Sequence, residues 1–204
     1  MPSLTWLGHA SWQLKTDKHT ILVDPFLDDS PTAPIKASEA AADFILVSHG
    51  HYDHIADAAK IANRTGATVV SNYEITTWLA KNHGVKNTVG GNLGGGVDLP
   101  FGRVKLTLAF HSSSLPDGGN GGNPCGFLLT LTGGQKVYFA CDTALFGDMA
   151  LIGAGGLYLA VLPIVAGLAP IATRRALGLT LPSSGRARPR VLPGPQADWF
   201  TPQA

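Results

Sequence analysis

The stretch that most constrains this chain is Asp43–Asp57, DFILVSHGHYDHIAD. Its apolar run, Phe44 to Val47, has strand length and is bounded by polar residues. Such a run reads as a strand covered on both faces, so the fold must supply layers above and below it. Four metal-ligand side chains then follow within six positions: His49, His51, Asp53 and His54. A buried strand that delivers a cluster of imidazoles and a carboxylate is a fold element and a site at once, because loops at strand ends are where sites are built. The chain has 204 residues, 45% apolar and 14% charged. That is enough to cover such a strand in one domain and too apolar for a disordered chain.

The rest of the first half alternates short strand-like runs with turns. SLTWLG, SWQLKT and TILVD read as strands, with DKH as a hairpin turn. A helix is expected from about Ile55 to Thr65, stopped by Gly66, and ATVVS is the next strand. YEITTWLAKNH has helical spacing and Gly84 closes it. Gly90 to Gly96 reads as a glycine-rich loop; with no Gly-Lys-Ser/Thr after it, it is not a phosphate-binding loop of the Walker kind. RVKLTLAF alternates and ends at His111, and GFLLTL with KVYFA forms a hairpin ending near Asp142. This order of strands and helices predicts an α/β layered fold with mixed sheets.

Imidazole and carboxylate suit zinc and similar divalent ions. A His-x-His turn presents two imidazoles to one ion, while Asp53 and His54, at the start of a helix, can face a second. Taken alone, His111 could be a polar strand cap, Asp142 a helix N-cap, and His9 a turn residue. Packing does not explain four potential ligands in six positions.

In order along the chain, TWLGHASWQL, TILVDPFL, HGHYDH, FHSSS and CDTALFGDM resemble the metallo-β-lactamase superfamily. Within it they are similar to the bacterial metal-dependent hydrolase branch related to ascorbate-phosphate lactonase. The match covers about residues 1–164. The resemblance implies an αβ/βα sandwich of two mixed sheets with two divalent ions at the sheet ends, zinc first, with manganese, nickel and iron as alternatives. It implies His49, His51 and His111 on the first ion, Asp53 and His54 on the second, and Asp142 bridging, with Asp53 and Asp142 as the catalytic carboxylates. His9 and Asp24 are placed behind these ligands, where they would orient them. The implied chemistry is hydrolysis of a lactone, ester or phosphodiester by a water activated between two cations. Ser112 to Ser114 have no evident base partner and read as loop hydrogen-bonders.

The chain departs from that pattern in two places. Cys141 stands where glycine is usual, and is read as a small packing residue. The larger departure begins near Val165. Residues 1–164 carry ten basic and thirteen acidic groups, a net of −3; the remainder carries five arginines, one aspartate and six prolines. No histidine follows His111, so the second ion lacks the last histidine the family supplies. Residues 165–204 therefore read as an atypical Arg/Pro-rich tail, poorly structured and translated as if from another frame. Trp199 and Phe200 are candidates to cover the apolar surface this leaves. The other reading is a metal-binding protein with impaired catalysis.

Other classes fit less well. A body at −3 does not favour nucleic acid. Met149 to Thr173 carries no charge, but its prolines and glycines disfavour a membrane helix. Two cysteines and no apparent leader fit a cytoplasmic protein with a small-molecule substrate and self-association as its only partnerships.

Overall fold

The computed structural model describes residues 2–162 and the backbone of residues 190–193. Two six-stranded sheets face each other. The first runs in chain order: β1 (Ser3–Trp6), β2 (Trp12–Lys15), β3 (Thr20–Val23), β4 (Phe44–Leu46), β5 (Thr68–Asn72) and β6 (Thr88–Gly91). Its first three strands are antiparallel and the rest parallel. The second holds β7 (Gly96–Leu99), β8 (Gly102–Leu108), β9 (Cys125–Leu131), β10 (Lys136–Phe139), β11 (Leu159–Leu162) and β12 (Arg190–Pro193), also in spatial order. Helices α1 (Tyr52–Ile55), α2 (Ala58–Thr65) and α3 (Tyr73–His83) cover the first sheet, and α4 (Met149–Ala154) covers the second.

Strand period two builds these layers. In the first sheet Ile21, Val23, Phe44, Leu46 and Val70 point between the sheets, while Leu22, Ile45 and Val69 meet the helices. The second sheet does the same: Phe127, Leu129, Val137, Phe139 and Val161 point inward, and Tyr138 and Ala160 face α4. Both faces of β4 are thus occupied, as its unbroken apolar run requires. The architecture is the α/β, αβ/βα sandwich of two mixed sheets that the resemblance implied.

The structure differs from the sequence reading in four places. The helix expected from Ile55 begins at Tyr52 and breaks at Ala56 and Asp57. Asp57 turns its carboxylate back to accept from the backbone N–H of Leu27 (2.7 Å) and Asp28 (3.0 Å). The ends of the glycine-rich segment are strands, not loop: β6 closes one sheet edge and β7 opens the other. Glycine conceals this because it lowers strand propensity; at Gly90 it is required, since a Cβ there would lie 2.5 Å from Thr76 Oγ1 of α3. Asp142 caps no helix, because α4 starts only after Asp148. Finally, Arg190–Pro193 is a strand, so that part of the tail is not unstructured. It pairs parallel to β11 as the edge strand of the second sheet, and proline is tolerated on such an edge.

Within the uncharged segment, LYLAVLP supplies the buried strand β11, and no helix among the described residues is long and apolar enough to cross a membrane. The remaining expectations for the tail, including Trp199 and Phe200, lie outside the described residues.

Candidate metal centre

Both sheets contribute to one cluster at their ends. Beyond β4, Val47 still donates to Val70 of β5 (3.1 Å); the chain then turns through Ser48, His49, Gly50 and His51 into α1. Gly50 lets the 112–114 loop approach closely, since a Cβ would lie 3.0 Å from the Ser114 carbonyl. Gly50 N–H donates to Ser113 Oγ (3.1 Å), and Ser112 Oγ lies 3.2 Å from His51 Nε2. These serines are loop hydrogen-bonders, as expected, and they fix the segment that carries His111. The loops after β8 and β10 are tied together in turn: Phe110 N–H donates to Thr143 Oγ1 (2.8 Å), and Ala144 N–H to the Phe110 carbonyl (3.1 Å). His111 and Asp142 are held side by side in this way.

Two donor groups result. The ligand atoms of His49, His51 and His111 lie within 4.8 Å of one another, and so do those of His9, Asp53 and His54. His49 Nε2 is 3.0 Å from His51 Nδ1. Asp142 stands between the groups, its Oδ2 3.4 Å from His54 Nε2 and 3.6 Å from His111 Nε2. The structure therefore brings together all six residues predicted as metal ligands.

Asp24 lies against Ser48 and His54. The residue is fully buried, and its Oδ1 accepts from Ser48 N–H (2.7 Å). Its Oδ2 accepts from Ser48 Oγ (2.6 Å) and lies 3.0 Å from His54 Nδ1. Ser48 Oγ is also 2.8 Å from His49 Nδ1. A hydroxyl has one proton. Since that of Ser48 goes to Asp24, Ser48 can only accept from a protonated His49 Nδ1. One carboxylate thus accepts the Nδ1 proton of His54 directly and orients that of His49 through Ser48; neutral His49 turns a bare Nε2 into the cluster, and His54 does so once a cation displaces its Nε2 proton. A third close group, Asp24 with His49 and His54, is this orienting network and not a cation site, because its oxygens are already taken. Sequence reading missed Ser48; its place directly before His49 at a buried strand end was the available signal.

The charges fit cation binding. Burial, together with the facing imidazoles of His54, His51 and His111, pushes the His49 pKa far down, so the ring stays neutral. Burial and His111 lower His51 also. Burial alone would raise Asp53, but the His9 hydrogen bond and the His54 charge hold it at about 2. Asp142 is likewise lowered against burial by its His54 contacts. His54 is the exception: burial opposes its charge, yet Asp142 and Asp24 raise it to about 10. His54 Nε2 is buried and makes no hydrogen bond of acceptable geometry. A polar atom left so, among carboxylates that stabilise positive charge, fits a divalent cation; the donors match it in chemistry.

Cys141 packs against the inter-sheet core, and burial pushes its thiol pKa well up, so it offers no thiolate at neutral pH. Its backbone has φ +53°; the other non-glycine residues with positive φ among those described are His9 and Asp24, each at +45°. All three belong to the cluster or border it.

A family model described as the beta-lactamase superfamily domain matches residues 19–168. A UPF0173 metal-dependent hydrolase of Heliobacterium modesticaldum is 47% identical over 172 residues, covering 80% of this chain and 71% of its own. One of Thermus thermophilus is 46% identical over 164 residues, with the same coverage. Among solved structures, Igni18, a metallo hydrolase of Ignicoccus hospitalis, superposes with a TM-score of 0.72 at 30% identity, over 94% of this chain and 81% of that one.

Proposed function

Because this chain belongs to the UPF0173 metal-dependent hydrolases of the β-lactamase superfamily, we propose that it hydrolyses a small lactone, ester or phosphodiester with two divalent ions held in the cluster. The observation that carries this reading is the convergence of His49, His51 and His111 beside Asp142 and the unbonded Nε2 of His54. In the proposal, His49, His51 and His111 hold one ion, Asp53 and His54 the other, and Asp142 both. Zinc is the favoured metal on ligand type, ahead of manganese, nickel or iron. Such ions supply Lewis acidity and lower the pKa of a water towards neutrality.

The chain's own residues supply the rest. Asp24 and Ser48 hold the His54 and His49 rings in the ligating tautomer. Asp53 and Asp142, both ionised at neutral pH, balance the cationic charge and can take up the water proton. Phe110 and Tyr52 are exposed beside the ligands His111 and His51, which suits a substrate with an apolar part. The proposed partnerships are this substrate and self-association, without nucleic acid or membrane. The proposed organisation is a hydrolase domain over residues 1–164, followed by the Arg/Pro-rich segment 165–204.

The test is turnover of generic lactone, ester and phosphodiester substrates by metal-free protein reconstituted with Zn²⁺ or Mn²⁺. Loss of turnover in His111→Ala is expected. The absence of histidine after His111 favours the second reading, a metal-binding protein without effective catalysis. Two bound ions with no turnover on any substrate class would select it.

A further inference from the structure

The geometry points to His9 as a direct ligand of the second ion, through Nε2, completing the set with Asp53, His54 and Asp142. This rests on the two-ion reading above and changes the place of His9 within it, from a residue that orients a ligand to one that binds the cation.

Three observations carry the inference. The first is distance. Donors bound to one ion at about 2.1 Å each can stand no more than about 4.2 Å apart. His9 Nε2 lies 2.8 Å from Asp53 Oδ2, and Asp53 Oδ2 lies 3.8 Å from His54 Nε2. His54 Nε2 is also 3.4 Å from Asp142 Oδ2. The ligand atoms of His9, Asp53 and His54 all lie within 4.8 Å of one another, and Asp142 adjoins them through His54. The second is the His54 Nε2 atom itself, buried with no hydrogen bond, in the same group of three. The remaining histidines do not compete for this point: His49, His51 and His111 form the other group, and His19 and His83 pack on Phe44 and Trp78.

The third observation is how firmly His9 is placed. It sits in a tight turn in which Ser11 N–H donates to the Gly8 carbonyl (2.8 Å) and Leu7 N–H to the Ser11 carbonyl (2.9 Å). Gly8 has φ +93°, and a Cβ there would lie 2.8 Å from Ala33 N, so the turn presses on the 30–33 loop. His9 N–H donates to Thr32 Oγ1 (3.2 Å), and its carbonyl accepts from Trp6 Nε1 (2.9 Å). The ring meets the edges of Phe26 and His54, with centroids 5.7 and 5.4 Å away. The residue keeps a left-handed backbone at φ +45°, a conformation that persists in a non-glycine residue only when its surroundings over-determine it. Residue 9 thereby supplies the imidazole that no position after His111 provides.

The experiment uses the full chain, labelled with ¹⁵N-histidine, stripped of metal and loaded with two equivalents of ¹¹³Cd²⁺. A ring nitrogen bonded to ¹¹³Cd shows a one-bond scalar coupling; a nitrogen that merely hydrogen-bonds a ligand shows none. Coupling at five histidines is expected, with that of His9 identified by its loss in His9→Gln. Coupling at His49, His51, His54 and His111 but not at His9 overturns this inference and leaves the two-ion reading standing. No coupling at any histidine overturns the two-ion reading itself. In Zn²⁺ titrations, His9→Gln should keep the first equivalent and bind the second at least tenfold more weakly. Unchanged affinity for both equivalents would also overturn the role of His9. The number of coupled histidines, five against four, is read on the unsubstituted chain, so that count does not depend on the variant folding.

Discussion

Asp24→Asn is the substitution that most directly tests the tautomer argument. Asparagine tolerates the left-handed backbone that residue 24 adopts, so the change does not add strain. Its carbonyl can keep the bond from Ser48 N–H, while its amide faces Ser48 Oγ and His54 Nδ1, where the carboxylate accepted. A donor replaces an acceptor at both points. Two buried groups lose their partner, at about 1–3 kcal/mol each. Removing one member of a buried ion pair costs about 3–5 kcal/mol by an independent route, and the two figures agree. We expect urea denaturation of the metal-free variant at pH 7 to show a loss of about 3–5 kcal/mol. The neutral, metal-binding form of His54 should also lose the Nδ1–H partner that leaves Nε2 to the cation, so Zn²⁺ affinity should fall by about 10–100-fold, the range found for groups behind metal ligands. Calorimetric titration measures it. Stability within about 1 kcal/mol of the parent together with unchanged Zn²⁺ affinity would refute the reasoning. Lost stability with unchanged affinity would leave Asp24 as a structural residue only.

Ser48→Ala should free the His49 tautomer but leave Asp24 bonded to His54. The expected result is an affinity loss of about tenfold or more at one ion only, seen as a split in the Zn²⁺ titration. The pH dependence of the metal-free protein follows from His54. Its pKa in the fold, about 10, lies above the ordinary 6.5. The stability this contributes is complete below pH 6.5 and is lost as pH rises through 10. A cation at Nε2 must displace that proton, so Zn²⁺ uptake at pH 8 should release about one proton from His54, measured by calorimetry in buffers of different ionisation enthalpy. At Cys141, φ +53° separates two substitutions. Cys141→Gly relieves about 1–2 kcal/mol of backbone strain and loses a similar amount in chain entropy and packing, so thermal unfolding should barely move. Cys141→Val places a branched side chain in the same conformation and should lower stability by about 2 kcal/mol or more.

Much of the fold was legible where a residue's local preference and its tertiary role coincide. The apolar run at β4 specified a strand covered on both faces. Asn72 at the head of α3, accepting from Ile75 N–H (2.8 Å), and Gly84 at its end, with φ +67°, set that helix by local chemistry. Legibility failed where tertiary contacts decide. β6 and β7 are strands because they pair, although their glycines argue for a loop. Arg190–Pro193 joins an edge that admits proline. The ligand loop was readable because its residues are adjacent in sequence. The pairing of His9 with Asp53, forty-four positions apart, and that of Asp24 with Ser48, twenty-four apart, are products of chain folding that no local pattern encodes.

The two sheets also divide the donors unequally. His9, His49, His51, Asp53 and His54 come with the first sheet, and only His111 and Asp142 come with the second. A cation bound by both sets is therefore a cross-link between segments far apart along the chain, in the manner of a reversible disulfide. It should constrain the unfolded ensemble as well as hold the native one. Loading the ions should then raise the unfolding temperature with metal concentration. Occupancy also becomes a measure of whether the two halves of the sandwich have closed on each other at all.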